Sequence, residues 1–407
     1  MRPVSKSYET RNNSAAFRIA CTTWSKEDKT MRRAVVSLLV ALSLLTPCLA
    51  APEVAAPSCL LMDRATGTVL YEKDADRRLA PASVTKIMTL LLVMEAIDSG
   101  QLTWDETVMA SANAAGKGGS QVYLAENEHM TVRDMVKCVV VASANDCAAA
   151  LAERVAGSES AFVDRMNDKA AELGMVNTHF ENCTGLDDEA PADRHYTTSR
   201  DIAIMSRALL AHDGIREFTT IWMDTIRNGT FGLTNTNKLV RFYPDATGLK
   251  TGFTQAAGYC MSATAERDGM ELIAAVMHCG SSTERFNSAR ELLEYGFANY
   301  TLVDPAADVV LEPVTVELGT AETVQAVPRD SEPVLLEKTA AAGCEREISL
   351  PSQVEAPVEA GQVLGTLTLR QGDTILAEVP LVAETGVERL GFGARMVRFL
   401  RYLWMAE

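Results

Sequence analysis

Three short motifs in the sequence carry residue types suited to nucleophilic catalysis, and the first is Ser83-Val84-Thr85-Lys86. Residues three positions apart lie on one face of a helix, so the Ser83 hydroxyl and the Lys86 amine could meet within hydrogen-bonding distance. To act as a base at neutral pH, Lys86 would need a pKa well below the ordinary value of a lysine, which burial beside a second cation would provide. The alternative, a helix cap with an exposed lysine, does not explain the apolar residues that follow Lys86 directly.

The second motif, Lys250-Thr251-Gly252, combines charge with steric openness. A lysine supplies positive charge, a threonine hydroxyl can bind a carboxylate, and a glycine lets a substrate lie against the backbone of a strand. An ordinary edge strand with a glycine at a bulge would have the same sequence. Taken alone, this motif is therefore compatible with both interpretations.

A third motif, Ser-x-Asn, occurs twice, as Ser111-Ala112-Asn113 and as Ser143-Ala144-Asn145. The second copy interrupts an apolar helical region and is predicted to lie in a rigid, buried loop. The first copy lies in a polar, glycine-rich stretch and is predicted to be a surface turn. We therefore select the second copy, in which Ser143 could relay a proton between Lys86 and a leaving amine, and Asn145 could hold a substrate amide.

Hydrophobic periodicity predicts the elements that must position these motifs. Two short strands precede a helix that begins near Pro81 and is apolar on almost every side, as expected for a helix in the middle of a domain. Further helices are predicted at 131–155 with a break at 143–146, and at 160–173, 198–210 and 284–299, with a β-hairpin at 258–278. Helices interleaved with a late hairpin indicate an antiparallel sheet flanked by helices, in the mixed α/β (α+β) class.

The composition and the hydrophobic pattern of the sequence differ between its regions. From Asp304 to about residue 385 it is valine-rich, alternating and interrupted by proline, with a hairpin around Gln371-Gly372-Asp373. We therefore predict a catalytic domain at 51–303 and a small all-β domain at 304–385.

The last segment, 386–407, has the pattern of an amphipathic helix. One face carries arginines and another carries large apolar residues, namely Arg389, Arg395, Arg398 and Arg401 against Met396, Phe399, Leu400, Leu403 and Trp404. This pattern favours binding to an anionic membrane surface. A helix that docks on its own domain would show the same pattern.

The N-terminal 50 residues are predicted to lie outside the folded protein. Arg32-Arg33 precede an apolar run, and Cys48-Leu49-Ala50-Ala51 provides a cleavage site of small residues. These features predict a signal peptide at 31–50 that follows an uninformative leader at 1–30, with either Met1 or Met31 as the start. We therefore expect an exported protein that acts outside the cytoplasm, peripheral on the outer face of the cytoplasmic membrane.

Composition disfavours several classes of function. A formal net charge of −16 without any basic stretch argues against nucleic-acid binding. Two of the nine cysteines, Cys21 and Cys48, precede residue 51, and the remaining seven have no C-x-x-C spacing. The five histidines are scattered. Neither a disulfide framework nor a metal site is indicated, and no cofactor is expected.

The order Ser-x-x-Lys, Ser-x-Asn, Lys-Thr-Gly resembles the motif set of the penicillin-binding protein and serine β-lactamase superfamily. Within it, the chain is most similar to low-molecular-mass D-alanyl-D-alanine carboxypeptidases, over about 56–384 and again in the tail. Further matching segments are Asn177-Thr178-His179-Phe180 with Gly185-Leu186, Thr198-Ser199-Arg200-Asp201, and the helix 285–297. The resemblance implies a transpeptidase-like antiparallel sheet flanked by helices, with a helical subdomain.

The resemblance also implies roles for the motif residues. Ser83 would be the acylated nucleophile, Lys86 its general base, and Ser143 the proton relay that also serves deacylation. Lys250 would bind substrate and help to lower the pKa of Lys86. The backbone N–H groups of Ser83 and Phe253 would form the oxyanion hole. The other substrate-binding residues would be Asn145, Gly252, Thr251 and Arg285, the last two for the terminal carboxylate.

Two positions depart from the family pattern. Ala144 and Phe253 stand where relatives often carry a glycine and a histidine or polar residue, respectively. Side chains at these positions vary in the family, so the role predicted for Phe253 depends on its backbone alone.

The reaction implied is removal of the terminal D-alanine from peptidoglycan stem peptides through an acyl-enzyme, with β-lactam antibiotics as covalent ligands. A β-lactamase is disfavoured because the sequence has no Ser-Asp-Asn and no recognisable deacylating glutamate. An endopeptidase that cleaves cross-links remains an alternative. A catalytically silent wall-binding protein is a further alternative, although the intact motif residues speak against it.

Overall fold

A computed structural model of the chain describes residues 51–187 and 193–405. The predicted leader at 1–30 and signal peptide at 31–50 lie outside the described residues. In the part of the chain that is described, every helix is too short or too polar to span a lipid bilayer.

The strands of the catalytic part are β1 (Ser58–Asp63), β2 (Val69–Lys73), β3 (Thr107–Met109), β4 (His129–Thr131), β5 (Met223–Ile226), β6 (Phe231–Thr234), β7 (Ala246–Thr254), β8 (Gly258–Arg267) and β9 (Met270–Cys279). Five of them form one antiparallel sheet in the order β2-β1-β9-β8-β7. The strand β7 therefore lies at an edge of this sheet. The remaining four form two short antiparallel pairs, β3 with β4 and β5 with β6.

The helices of this part are α1 (Lys86–Asp98), α2 (Ala112–Ala115), α3 (Val132–Val141), α4 (Asn145–Ala156), α5 (Glu159–Glu172), α6 (Ser199–Leu209), α7 (Asp213–Thr219), α8 (Leu239–Phe242) and α9 (Ser282–Asn299). Side-chain caps fix where several of them begin. Thr131, Ser158, Thr198 and Ser281 each accept a hydrogen bond from the N–H group three residues further on.

Two hydrophobic cores cover the two faces of the sheet. One core centres on α1, which is buried from Lys86 to Met94, and includes side chains of α3 to α6. The other packs α9 against alternate residues of β8 and β9 through Phe286, Leu292 and Leu293. Burial of each large apolar side chain contributes about 1.5–3 kcal/mol, so the buried helix α1 is held firmly. The predicted sheet flanked by helices and the predicted buried helix are confirmed.

The C-terminal part contains β10 (Tyr300–Val303), β11 (Val314–Glu317), β12 (Thr323–Val324), β13 (Ala326–Pro328), β14 (Val334–Glu337), α10 (Lys338–Ala341), β15 (Cys344–Ser349), β16 (Gln353–Glu355), β17 (Val363–Gln371), β18 (Thr374–Ala383) and α11 (Phe392–Met405). Its sheets have the orders β13-β18-β17-β15, β12-β11-β16 and β10-β14. A separate hydrophobic core includes Val316, Leu367 and Leu381. Within the predicted tail, 406–407 lie outside the described residues, and membrane binding by α11 stays a prediction.

Candidate active site

Ser83 lies in a 3₁₀ turn, Ala82–Thr85, that runs directly into α1 at Lys86. The distance between Lys86 Nζ and Ser83 Oγ is 3.0 Å, as the three-residue spacing predicts. Ser83 is partly accessible, whereas Lys86 is fully buried. Ala82, just before Ser83, has a φ of 48°, a conformation that costs a non-glycine residue about 1–2 kcal/mol and is therefore imposed by the surrounding packing.

The Lys86 amine has a second contact that the sequence did not indicate. Lys86 Nζ donates a hydrogen bond of 2.7 Å to the carbonyl oxygen of Thr184. The Asn182 side chain organises this segment, since its Oδ1 accepts hydrogen bonds from the N–H groups of Thr184 and Gly185. A Cβ on Gly185 would lie 1.9 Å from the carbonyl oxygen of Ala82, and Gly185 has a φ of 83°. Only glycine therefore lets this segment approach the 3₁₀ turn so closely.

Ser143 lies in the short connection between α3 and α4, where its φ is 62°. Lys250 of β7 reaches it from the sheet, and its Nζ donates hydrogen bonds to Ser143 Oγ at 2.9 Å and to the carbonyl oxygen of Thr251 at 3.0 Å. Both residues are almost completely buried. The described residues thus include two lysine–serine hydrogen bonds. One joins neighbouring residues where α1 begins, and the other joins segments that are distant in the sequence.

The edge strand β7 packs directly on the 3₁₀ turn and brings the two pairs together. A Cβ on Gly252 would lie 3.1 Å from the backbone nitrogen of Ser83 and 2.8 Å from the carbonyl oxygen of Pro81. This close approach requires glycine at position 252. The structure therefore gathers Ser83, Lys86, Ser143 and Lys250 at one place, although the chain separates them by up to 167 residues.

The electrostatics of this cluster are dominated by buried positive charge. Burial, and then the charges of Lys86 and Arg285, lower the pKa of Lys250 well below its ordinary value. Protonating one buried amine makes protonation of a neighbouring one less favourable, since two like charges in a low-dielectric environment repel strongly. Such a cluster suits a ligand that carries a negative charge.

Asn145 is the first residue of α4 and has one unused acceptor. Its Nδ2 donates to the carbonyl oxygen of Gly118 at 2.7 Å, and its backbone N–H donates to the carbonyl oxygen of Ser120 at 2.7 Å. Among the described residues, its buried Oδ1 has no hydrogen-bond partner. An unpaired buried acceptor costs about 1–3 kcal/mol, and a ligand N–H group would satisfy it. Asp146 holds the same loop by accepting from Val122 and Leu124 N–H groups.

The predicted carboxylate ligands have partners within the protein. Thr251 Oγ1 donates to Thr236 Oγ1 at 2.7 Å. Arg285, at the start of α9, is nearly fully buried, and its Nη1 donates to the carbonyl oxygens of Gly252 at 3.1 Å and Cys260 at 3.4 Å. Burial lowers the pKa of Arg285 to about 10. Arg285 thus supports β7 from the α9 side, and its contact with a carboxylate stays a prediction.

Phe253 follows Gly252 on β7, and its side chain is 52% exposed. Its ring packs on that of Tyr259, with 4.3 Å between the ring centroids. The backbone N–H of Phe253, predicted to line an oxyanion hole, belongs to the part of β7 that adjoins Ser83. That assignment also stays a prediction.

The first Ser-x-Asn copy begins a short helix, and the prediction of a surface turn there is wrong. Ser111 caps α2, its Oγ accepting from the N–H of Ala114. Asn113 Nδ2 donates to Glu153 of α4 and Glu159 of α5, at 2.9 Å each. Serine and asparagine favour helix caps as well as turns, which is why the sequence did not separate the two possibilities.

Comparisons with known proteins identify the family of the chain. A family model described as D-alanyl-D-alanine carboxypeptidase (peptidase S11) matches residues 47–281, and one for the C-terminal domain of penicillin-binding protein 5 matches residues 300–389. The chain is 40% identical to the D-alanyl-D-alanine carboxypeptidase DacF of Bacillus subtilis over 342 residues, which cover 83% of this chain and 87% of that relative.

Solved structures give the same result. Penicillin-binding protein 6B from Escherichia coli is 30% identical with a TM-score of 0.66, covering 83% of this chain and 98% of that one. Penicillin-binding protein D2 from Listeria monocytogenes, solved in an ampicillin-bound form, is 33% identical with a TM-score of 0.55 over 60% of this chain and 98% of that one. The chain therefore belongs to the peptidase S11 family and is a D-alanyl-D-alanine carboxypeptidase.

Proposed function

We propose that the enzyme removes the terminal D-alanine from peptidoglycan stem pentapeptides through an acyl-enzyme on Ser83. The observation that carries this proposal is the 3.0 Å separation of Ser83 Oγ from the buried Lys86 amine, with Ser83 partly accessible beside the edge strand β7. A buried amine next to other cations is a base suited to neutral pH, and a hydroxyl within its reach is an activated nucleophile.

In the acylation step, Ser83 Oγ attacks the carbonyl carbon of the D-Ala-D-Ala amide while its proton passes to Lys86 Nζ. The backbone N–H groups of Ser83 and Phe253 stabilise the resulting oxyanion. As the carbon–nitrogen bond breaks, the proton reaches the leaving amine through Ser143, which Lys250 contacts at 2.9 Å. D-alanine then leaves with its amine protonated, and the shortened peptide stays esterified to Ser83.

Substrate binding uses the polar groups around β7. The unpaired Oδ1 of Asn145 accepts an N–H of the peptide, and Thr251 binds the terminal carboxylate with Arg285 and Lys250 supplying positive charge nearby. Water then attacks the ester, assisted by the same Ser143, and restores the Ser83 hydroxyl. A β-lactam presents a comparable carbonyl and carboxylate, so it acylates Ser83 in the same way.

The proposal is tested by incubating the enzyme, as residues 51–407, with a synthetic stem pentapeptide ending in D-Ala-D-Ala. We expect equal amounts of free D-alanine and tetrapeptide by mass spectrometry. Penicillin added first should block this release and increase the protein mass by one intact drug molecule.

Two other outcomes would select the alternatives. Rapid release of hydrolysed penicillin without a lasting adduct would identify a β-lactamase. Cleavage of cross-linked dimeric stem peptides, with no D-alanine released from the pentapeptide, would identify an endopeptidase.

We further propose that the protein is exported, with a signal peptide at 31–50, and associates with the outer face of the cytoplasmic membrane through α11. Phe392, Met396 and Leu400 follow one another at four-residue spacing, so they share a helix face, and they are 74%, 46% and 51% exposed. Arg398 lies 3.6 Å from Glu322 in the β domain, so the helix also has a contact with its own chain. Exposed apolar side chains beside arginines suit an anionic lipid surface.

Cell fractionation tests this localisation. When the full chain is expressed, the processed protein that begins near residue 51 should be found extracytoplasmic, in the membrane fraction, and should bind vesicles that contain anionic lipid. The double variant Met396→Glu with Leu400→Glu should lose vesicle binding, whereas Val310→Glu, at an apolar residue that is 89% exposed outside the helix, should retain it. Equal binding by both variants would contradict a role for α11.

A further inference from the structure

His195 is a buried histidine that lies outside all three motifs. It is 4% exposed, and its ring packs edge-on against Phe180 with 5.7 Å between centroids. The following two residues are fixed by backbone hydrogen bonds, Tyr196 to His179 and Thr197 to Leu79. The position of the His195 ring is therefore set by the surrounding backbone.

Both ring nitrogens of His195 are used. Nδ1 accepts a hydrogen bond of 3.1 Å from the backbone N–H of Glu181, so it carries no proton. The proton of the neutral ring is therefore on Nε2, which donates to Thr85 Oγ1 at 2.9 Å. Burial, followed by electrostatic repulsion from His179 and Lys86, lowers the pKa of His195 to about 4, so the ring is neutral at neutral pH.

The two hydrogen-bond partners of His195 lie in the two segments that position the Lys86 amine. Thr85 directly precedes Lys86 and ends the 3₁₀ turn that carries Ser83. Glu181 opens the segment that carries the Thr184 carbonyl, which accepts from Lys86 Nζ at 2.7 Å. One turn along α1, Thr89 Oγ1 donates to the carbonyl oxygen of Cys183 and links the same two elements.

We propose that His195 is a positioning residue for the Lys86 amine. It joins Thr85 to the segment of Thr184, so that the amine keeps its bond to the Thr184 carbonyl while it faces Ser83. This inference rests on the function proposed above, in which Lys86 is the base. Misplacement of a reacting group by about 1 Å can reduce the rate on the order of a hundredfold, so a link of this kind affects kcat more than substrate binding.

Three variants of His195 remove the two hydrogen bonds of its ring one at a time or together. His195→Asn can place an acceptor near the position of Nδ1 but is too short to reach Thr85. His195→Gln can place a donor near the position of Nε2 but leaves the Glu181 N–H without its acceptor. His195→Leu loses both bonds. His179→Leu is the matched control, since His179 lies on the neighbouring backbone bridge and its ring contacts the Glu181 carboxylate instead of Thr85.

We measure kcat, KM and the rate constant of acylation by a fluorescent penicillin, each per mole of folded enzyme. We expect kcat and the acylation rate to fall about tenfold in His195→Asn and His195→Gln, and further in His195→Leu, with KM within about twofold of the wild type. The control should acylate at the wild-type rate. If His195→Leu does not fold, the two polar variants decide the question.

If His195 had only a structural role, its replacement would lower the melting temperature and leave the acylation rate of the folded enzyme unchanged. That result in the polar variants would overturn the inference. The proposed function would still stand, because it is contradicted only if the wild-type enzyme neither releases D-alanine nor is labelled by penicillin.

Discussion

The Ser83→Ala variant is expected to lose both D-alanine release and covalent labelling by penicillin, each on the order of 10⁴-fold or more. The change removes the one protein atom that forms a covalent bond to the substrate in the proposed mechanism. Ser83 is partly accessible and its hydroxyl contacts Lys86, so the variant should fold as the wild type does. Mass spectrometry of the protein after incubation with penicillin, and of the peptide products, measures both losses.

Ser111→Ala is the matched control for this experiment, because Ser111 belongs to the Ser-x-Asn copy that we did not select. Removal of its cap on α2 should cost about 1 kcal/mol of stability and leave labelling unchanged. Labelling retained in Ser83→Ala would show that another residue is the nucleophile. Labelling lost in Ser111→Ala at full folding would show that the wrong copy was chosen.

The sequence predicted those parts of the site that depend on local geometry. The spacing of Ser83 and Lys86 determines their contact once a helix begins there, and the apolar run after Lys86 predicts the burial of α1. Antiparallel pairing of β8 with β9 likewise follows from two apolar runs joined by a polar turn. In each case the interacting residues are close along the chain.

Contacts between distant segments could not be predicted from local patterns. The contact of Lys250 with Ser143 depends on the packing of β7 against the 3₁₀ turn, and the family resemblance implied only that Lys250 lies near Lys86. The Thr184 carbonyl is a backbone acceptor, which any residue type supplies, so no side chain signalled its role. No local pattern indicates the role of His195, because Thr85 is 110 residues away and its contact with Glu181, 14 residues away, is made through a backbone N–H group that any residue except proline supplies.

The second large effect is expected from Lys250→Met, which should separate activity from stability. Methionine has a similar volume but no charge, so it removes the hydrogen bond to Ser143 and the positive charge beside Lys86. Loss of such a preorganised group should lower kcat/KM for D-alanine release about 10²- to 10³-fold. Replacing a buried charge with a well-packed apolar side chain is often stabilising, so the free energy of unfolding at neutral pH should rise.

The pH dependence of the free energy of unfolding tests whether removal of the buried Lys250 amine causes the gain in stability of Lys250→Met. In the unfolded chain Lys250 titrates near its ordinary value of 10.5, and in the folded chain its pKa is well below that value. Between the two pKa values the unfolded state binds more protons, so the wild-type free energy of unfolding rises with pH through this window. The Lys250→Met variant lacks this slope. Its advantage over the wild type should therefore shrink as the pH approaches 10.5.

The Lys137→Met variant is expected to change stability in the opposite direction to Lys250→Met. Burial lowers the pKa of Lys137, but hydrogen bonds from Lys137 to Asp224 and Asp134 outweigh it and raise that pKa overall. The folded state therefore favours the Lys137 proton, and Lys137→Met should reduce stability at neutral pH while D-alanine release continues. Chemical denaturation of the three proteins across pH measures both effects. A loss of stability in Lys250→Met that does not change with pH would mean that the Lys250 hydrogen bonds outweigh the cost of burying its charge.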